Sequence, residues 1–239
     1  MLKTRPRSGK TALDGRTATL PTDLEAREMT ATEFDLFEIM RTTRSMRRLK
    51  PDSVPDALLS KVLESGTTAA SGGNMQSWRF LVIRDRAIKE SAGAFYRKAW
   101  HEVVAPRYRS SKPAPGVTPE GFTRMLAAAE YLADHVHEAP AWIVPCLAGP
   151  RQPGSGASIF PAVQNILLAA RALGLGATLT TLHLIHEKEA EAAMGIPDSH
   201  HSYAILPIGY PLGRFGPVRR SPLGDVAYDD RWGRPWQTA

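Results

Sequence analysis

A chain of 239 residues can bury one substantial core without a second domain, and 43% hydrophobic with 23% charged residues excludes a disordered or fibrous composition. Its single cysteine, Cys146, excludes an intramolecular disulfide, and no apolar run approaches the roughly 20 residues of a membrane helix. The formal net charge of +6 leaves two partners to weigh, nucleic acid or an anionic cofactor, and the placement of the cations decides between them.

Residues 1–30 mix Thr, Ala, Arg and Asp without an apolar period and read as a flexible or surface-lying arm, which leaves one domain over residues 31–239. The arm has no apolar stretch like a signal-peptide core, so a cytoplasmic protein is expected. From Phe34 the pattern turns helical, with Phe34, Phe37 and Met40 in phase, then breaks at the basic residues 41–50. A second helix is expected over residues 55–66, with Pro55 in its first turn and Leu58, Leu59, Val62 and Leu63 on one face. Ser71, Gly72, Gly73 and Asn74 form a loop that leads directly into a strand over residues 78–83.

Helices are expected over residues 86–104 and 119–137, separated by a mobile surface loop at 110–116. A strand over 141–147 precedes a Gly/Pro loop at 151–156. The long helix that follows carries Ile159, Val163, Ile166, Leu167, Ala170 and Leu173. It is apolar on most of its circumference, as helices buried in a core or a subunit interface are. Beyond Gly174 and Gly176 the pattern predicts a strand over 177–182, a helix over 187–194 and a strand over 203–208. Strands and helices interleave throughout, which defines a mixed α/β or α+β class.

Three segments carry chemistry. Thr43, Arg44, Ser45, Met46, Arg47 and Arg48 set a hydroxyl among guanidinium groups just after a helix, a match to phosphate geometry that a solvated basic turn would also present. Ser71, Gly72, Asn74 and Gln76 combine small residues that let a ligand approach the backbone with amides that offer donors and acceptors to a heterocycle, although an ordinary glycine turn reads the same way. Gly209, Tyr210 and Pro211 end a strand ahead of Arg219 and Arg220, either of which could clamp a second phosphate oxygen or simply face water.

In this order and spacing the segments resemble the nitroreductase family of flavoproteins. The family pattern is an Arg-Arg-Ser-x-Arg-like start, a Pro-Ser-x-x-Asn-x-Gln-Pro-Trp loop, a long helix running into a Gly-Leu-Gly segment, and a Gly-Tyr-Pro with a late arginine. Here these are Arg44 to Arg47, Ser71 to Trp78, Ile159 through Gly176 into Thr180 and Thr181, and Gly209 to Pro211 with Arg220. The resemblance spans residues 34–233 and implies an α+β three-layer sandwich: a central, mostly antiparallel sheet flanked by helices, with FMN bound non-covalently at the interface of a homodimer. By match, Arg44, Ser45 and Arg47 grip the phosphate and the pyrimidine edge, and Arg220 grips the phosphate, with Arg219 as its alternative. Ser71, Gly72 and Asn74 reach the same flavin from the other subunit, Gln76 belongs to that cofactor-binding loop, and Leu179, Thr180 and Thr181 line the isoalloxazine ring. Thr43, Ala70 and Ser77 depart from the family's first arginine and its two loop prolines, which puts the detailed contacts in question.

The implied activity is hydride transfer from NADPH or NADH through flavin to a nitroaromatic or quinone-like substrate with ping-pong kinetics, Arg47 stabilising the reduced ring. The basic surroundings lean toward NADPH. No nucleophile and base set is visible, as expected where the cofactor carries the chemistry. Enone or quinone reduction, dehalogenation, flavin fragmentation and flavin sequestration are alternatives on the same fold. A nucleic-acid binder is the rival from another class, and it lacks any helix-turn-helix, zinc or RNA-binding signature. His135 and His137, His183 and His186, and His200 and His201 come in pairs but without cysteine partners or a zinc signature, so no metal is expected, and His183 reads as a neighbour of the flavin pocket. Phe95, Tyr96, Trp100, Tyr108 and Phe122 read as packing, with a lid over the flavin as the alternative.

Overall fold

The computed structural model describes residues 35–113, 117–152 and 154–237, all within the unit Phe34–Ala239; the arm expected over residues 1–30 and part of the expected 110–116 loop lie outside the described residues. In chain order the elements are α1 (Leu36–Thr42), α2 (Asp56–Thr67), β1 (Trp78–Ile83), α3 (Arg86–Ala99), α4 (Ala105–Arg109), α5 (Pro119–His135), β2 (Ala141–Ala148), α6 (Gly156–Ala172), β3 (Gly176–Ala177), α7 (Glu187–Ala193), β4 (His200–Ser202), β5 (Leu206–Gly209) and α8 (Leu223–Val226). A wide turn over Trp100–Val104 carries α3 into α4. Local chemistry sets several of these bounds. The Asp85 carboxylate accepts the Ile88 amide ahead of α3, and the Thr118 hydroxyl accepts the Gly121 amide ahead of α5, where Pro119 fills the first helical position.

β2 is the middle of an antiparallel sheet. Its residues 142–147 pair with the whole of β1 on one side, and on the other side β2 pairs with β5 at its start and β4 at its end, while β3 extends the sheet beyond β5. Residues 141–147 of β2 are all buried, and period-2 alternation sends them into two different cores. Ala141, Ile143 and Leu147 face a cluster with Leu59 and Val62 of α2 and Ile159, Val163 and Ile166 of α6. Trp142, Val144 and Cys146 face a second cluster with Ala92 and Tyr96 of α3, Leu132 and Ala133 of α5, and Ala190 of α7. Helices therefore cover both faces of the sheet, the three-layer sandwich that the sequence implied. None of the described helices is long and apolar enough to cross a membrane.

Two expected strands are corrected, and proline accounts for both. Over 177–182 only Gly176–Ala177 pairs as a strand, followed by an isolated bridge between Thr180 and Ile205 and a tight turn over Leu182–His186. In the register that joins Ala177 to Ile208 and Thr180 to Ile205, Thr178 stands opposite Pro207, which has no N–H to continue the ladder. The strand expected over 203–208 starts at Leu206, and His200–Ser202 form a separate strand on the far end of β2. Between the two, Tyr203, Ala204 and Ile205 stand against only Val144 and Pro145, a bulge centred where Pro145 again lacks a donor.

A close approach joins the sheet to the basic segment. The Met46 amide donates to the Ala177 carbonyl at 3.0 Å, and a Cβ on Gly176 would lie 2.8 Å from the Met46 Cβ and 3.0 Å from the Pro211 Cβ. Gly176→Ala is expected to cost about 1–3 kcal/mol of stability through overpacking, read as a lowered urea midpoint. A midpoint equal to that of the wild type would show that the segment is not packed against β3.

Candidate functional site

The site begins where α1 ends. The hydroxyls of Thr42 and Thr43 donate back to the carbonyls of Glu38 and Ile39 at 2.7 and 2.6 Å, and the chain then leaves the helix extended at Thr43. The extended run is laid along the sheet edge by Met46, whose side chain is buried, by the bridge between Leu49 and Pro211, and by the Lys50 amide on the Tyr210 carbonyl. From the other end of the chain, the Val218 amide donates to the Arg41 carbonyl at 3.0 Å, bringing residues 218–220 beside the same run.

Between them lies a cleft of about 400 Å³, lined by Met40, Thr43, Arg44, Ser45 and Arg47, by Gln164 and Leu167 of α6, by Ala177, Thr178 and Leu179, and by Val218 and Arg220. Three guanidinium groups face it and none of its lining residues is acidic. Among the described residues no carboxylate pairs with Arg44, Arg47 or Arg220. Guanidinium forks without a carboxylate partner around a concavity offer donors whose geometry suits an oxyanion such as phosphate.

The expected site residues divide into three groups. Arg44, Ser45, Arg47, Leu179 and Arg220 line the cleft. Arg219 and Thr181 are exposed outside its lining, and the Arg219 carbonyl accepts from Arg220. Thr180 is half-buried next to Leu179, with its hydroxyl 2.7 Å from that of Tyr96. Arg48 turns away and stacks over the Tyr131 ring at 4.1 Å.

Ser71, Gly72, Asn74 and Gln76 form a separate, largely exposed loop in this chain. The Gly72 amide donates to the Ser158 hydroxyl at the start of α6, the Gln76 amide donates to the Ser71 hydroxyl, and the Gln76 side chain donates to Asn74 Oδ1 at 3.0 Å. Gly73, Asn74 and Gln76 have φ values of 58°, 53° and 47°. Left-handed backbone is tolerated by Asn and costly for Gln, and such strain collects at functional loops.

Sequence reading missed Met40, Gln164, Leu167, Thr178 and Val218 as lining residues. Gln164 carried a signal: with Asn165 it is one of two amides in the apolar run from Ile159 to Ala170. Asn165 donates to Ser65 and Thr68, whereas the Gln164 amide has no hydrogen-bond partner among the described residues. A larger and mainly aliphatic groove, about 680 Å³, lies along α1, α2 and α6 with Leu36, Leu168, Ala169 and Leu173 on its walls. It is bigger than the cleft but holds no comparable set of charged donors, so size does not locate the chemistry here.

His183 is a second correction. It is fully buried, its Nε2 lies 3.1 Å from the Ser202 hydroxyl, and its Nδ1 has no hydrogen-bond partner among the described residues. It is a core residue and does not line the cleft. Burial, aided by the Arg151 charge, holds its pKa down at about 3. Below the unfolded-state pKa near 6.5 the unfolded chain binds the proton that the native ring refuses, so stability falls with pH from there to about 3 and is unaffected above. Between pH 7 and pH 5 the loss from this one group is about 2 kcal/mol. A His183→Gln variant is expected to flatten that part of the urea-midpoint profile, and an unchanged profile would show that the ring protonates freely in the native state.

Ser202 also donates through its amide and hydroxyl to Glu191 Oε1, at 2.6 and 2.7 Å. Glu187, Glu191 and His201 present ligand atoms within 4.8 Å of one another, the one such triad among the described residues, and Arg151 occupies Glu187 at 2.7 Å. Of the aromatic residues, Tyr96 and Trp100 are core, and Tyr108 links Trp100 to Phe122 through ring contacts at 6.2 and 6.4 Å.

The chain is thus a three-layer α+β sandwich with a guanidinium-lined cleft at the edge of its antiparallel sheet, a lining chemically suited to an anion. Residues 40–210 match the nitroreductase family, and the chain belongs to that family. A Thermus thermophilus protein named NADH dehydrogenase is 30% identical over 198 residues, covering 77% of this chain and 90% of that one. A Thermotoga neapolitana iodotyrosine deiodinase is 27% identical over 179 residues, covering 74% and 88% of the two chains. A Desulfovibrio desulfuricans structure solved in complex with FMN superimposes with a TM-score of 0.61 at 25% identity, covering 84% of this chain and 99% of that one.

Proposed function

We propose that this chain is an FMN-dependent oxidoreductase that works as a homodimer, moving hydride from NADPH or NADH through the bound flavin to nitroaromatic or similarly oxidised substrates such as quinones. The observation that carries the proposal is the convergence of Arg44, Arg47 and Arg220, from opposite ends of the chain, on a cleft without a carboxylate. The donor set fits FMN: Arg44 and Arg220 would hold the phosphate, Arg47 the electron-rich pyrimidine edge, and Leu179, Thr180 and Thr181 the ring. Bound there, the flavin supplies the two-electron chemistry, while the protein supplies position and charge.

The exposed Ser71 loop, with Gly72, Asn74 and Gln76, serves the cleft of a second copy in this reading, and the outward apolar surface of α6 serves as interface. The relatives support the reading: a flavin complex superimposes on this fold, and a relative carries a dehydrogenase name. A second reading, reductive dehalogenation, is favoured by the iodotyrosine deiodinase relative.

The test is an anaerobic titration of purified protein. Addition of NADPH or NADH is expected to bleach a flavin absorption band, and a nitroaromatic compound to restore it. Restoration by an iodotyrosine and not by the nitro compound would replace the first reading with the second. A colourless protein that takes up no added FMN would overturn both.

A further inference from the structure

Tyr96 lies on α3, distant in sequence from every segment that lines the cleft, and only 2% of its surface is exposed. Its hydroxyl meets the Thr180 hydroxyl at 2.7 Å. Thr180 follows Leu179 of the cleft wall and is held through its backbone on both sides. Its amide donates to the Ile205 carbonyl at 3.1 Å, and the Ile205 amide donates to its carbonyl at 2.9 Å. With its backbone held and its Oγ1 against the Tyr96 hydroxyl, Thr180 keeps the rotation of its hydroxyl proton.

Acidity decides which hydroxyl donates. A phenol is a far stronger acid than an aliphatic alcohol, so in a tyrosine and threonine pair the phenol is the better donor and the alcohol oxygen the better acceptor. Burial pushes the Tyr96 phenol up to about 12 against the opposing pull of the Thr180 hydrogen bond and, after it, of the Arg47 charge, so it keeps its proton. With Tyr96 donating, the Thr180 proton has no acceptor among the described residues. Thr180 is half-buried and directly follows Leu179, which lines the cleft.

We propose that Tyr96 is a positioning residue: by donating to Thr180 Oγ1 it turns the Thr180 proton outward as a fixed donor to the redox ring of the cofactor. The inference rests on the flavin reading above. A donor held in advance where electron density grows stabilises the reduced ring more than the oxidised one, and it needs no reorganisation when the electrons arrive. The shift belongs to the potential of the bound cofactor, which a merely structural tyrosine would leave alone.

The measurement is the midpoint potential of FMN bound to the holoprotein in the wild type, Tyr96→Phe, Thr180→Ala and the double variant. Tyr96→Phe keeps the ring and its packing. It is expected to lose about tenfold of the preference for reduced over oxidised FMN, read as a potential lower by about 30 mV. Thr180→Ala should lower the potential at least as far, and the double variant no further than Thr180→Ala, because both substitutions remove the same hydrogen bond.

An unshifted Tyr96→Phe, or shifts that add in the double variant, would overturn the proposal. If Tyr96→Phe does not accumulate as folded protein, 3-fluorotyrosine at position 96 takes its place. It keeps the hydroxyl while making it a stronger donor, and should move the potential upward; no movement overturns the proposal. A wild-type chain that takes up no FMN removes the cofactor reading and this inference with it, whereas a normal holoprotein with an unshifted Tyr96→Phe removes this inference alone.

Discussion

Replacing Arg44 and Arg220 together by alanine is expected to weaken FMN binding by on the order of a hundredfold or more. The two residues come from opposite ends of the chain and meet in the cleft only because the Val218 amide is tied to the Arg41 carbonyl and the Met46 amide to the Ala177 carbonyl. A guanidinium offers a dianionic phosphate two parallel charged hydrogen bonds. Arg220 spends one Nη1 donor on the Arg219 carbonyl, and neither guanidinium has its charge met by a carboxylate among the described residues. Arg44→Lys keeps the charge and loses the fork, so it should fall between wild type and Arg44→Ala.

Arg48→Ala is the matched control: it removes a neighbouring positive charge that lies over the Tyr131 ring and outside the cleft lining. Fluorescence titration of the apoprotein with FMN reads the wild type and all four variants. An Arg44 and Arg220 double variant that binds as the wild type does, or an Arg48→Ala that weakens binding as much as the double variant, would show that the phosphate sits elsewhere.

Trp142→Ala carries the largest expected loss of stability, about 3–5 kcal/mol. Trp142 is the largest fully buried side chain, on the middle strand, in the core shared by β2 with α3, α5 and α7. Removing it leaves a cavity among close-packed neighbours, and it also strips the Val136 carbonyl of the indole N–H that donates to it at 2.8 Å. Trp142→Phe fills most of the space but cannot donate, so it should lose less, and the difference between the two variants separates volume from hydrogen bond. Urea unfolding at fixed protein and FMN concentration gives the comparison, since a bound cofactor or a second subunit raises the apparent stability of every variant. Equal midpoints for the wild type and Trp142→Ala would mean that the second core contributes little to cooperative folding.

Much of this molecule was legible in its residues. The strand at Trp78–Ile83 has the expected bounds, and β2 and α6 lie within a residue or two of theirs, because each is marked by an unbroken apolar pattern between Gly, Pro or charged neighbours. The basic run after α1 and the late arginine stand out in the sequence, and the fold brings Arg44, Arg47 and Arg220 to the lining of one cleft. The continuous apolar run of β2 fits a strand buried on both faces, as residues 141–147 are.

What only the tertiary structure decided are the relations between distant residues. Residues 177–182 have the composition of a strand, yet only Ala177 among them lies in the regular ladder, because Pro207 stands opposite Thr178 with no proton to donate, and pairing returns only as the single bridge from Thr180 to Ile205. Nothing within 177–182 contains that information. His183 reads as a pocket residue from its nearness to Thr181, and it becomes core because the turn over Leu182–His186 rotates it inward against Ser202. Both Arg219 and Arg220 are candidates on paper, and only Arg220 lines the cleft. Tyr96 and Thr180 have no mark in the sequence to join them. Local periodicity reports which side chains share one face of one element, and it is silent on which elements meet. That is set by register and packing across the whole sheet, where a single proline or one extra residue on a neighbouring strand moves every contact beyond it.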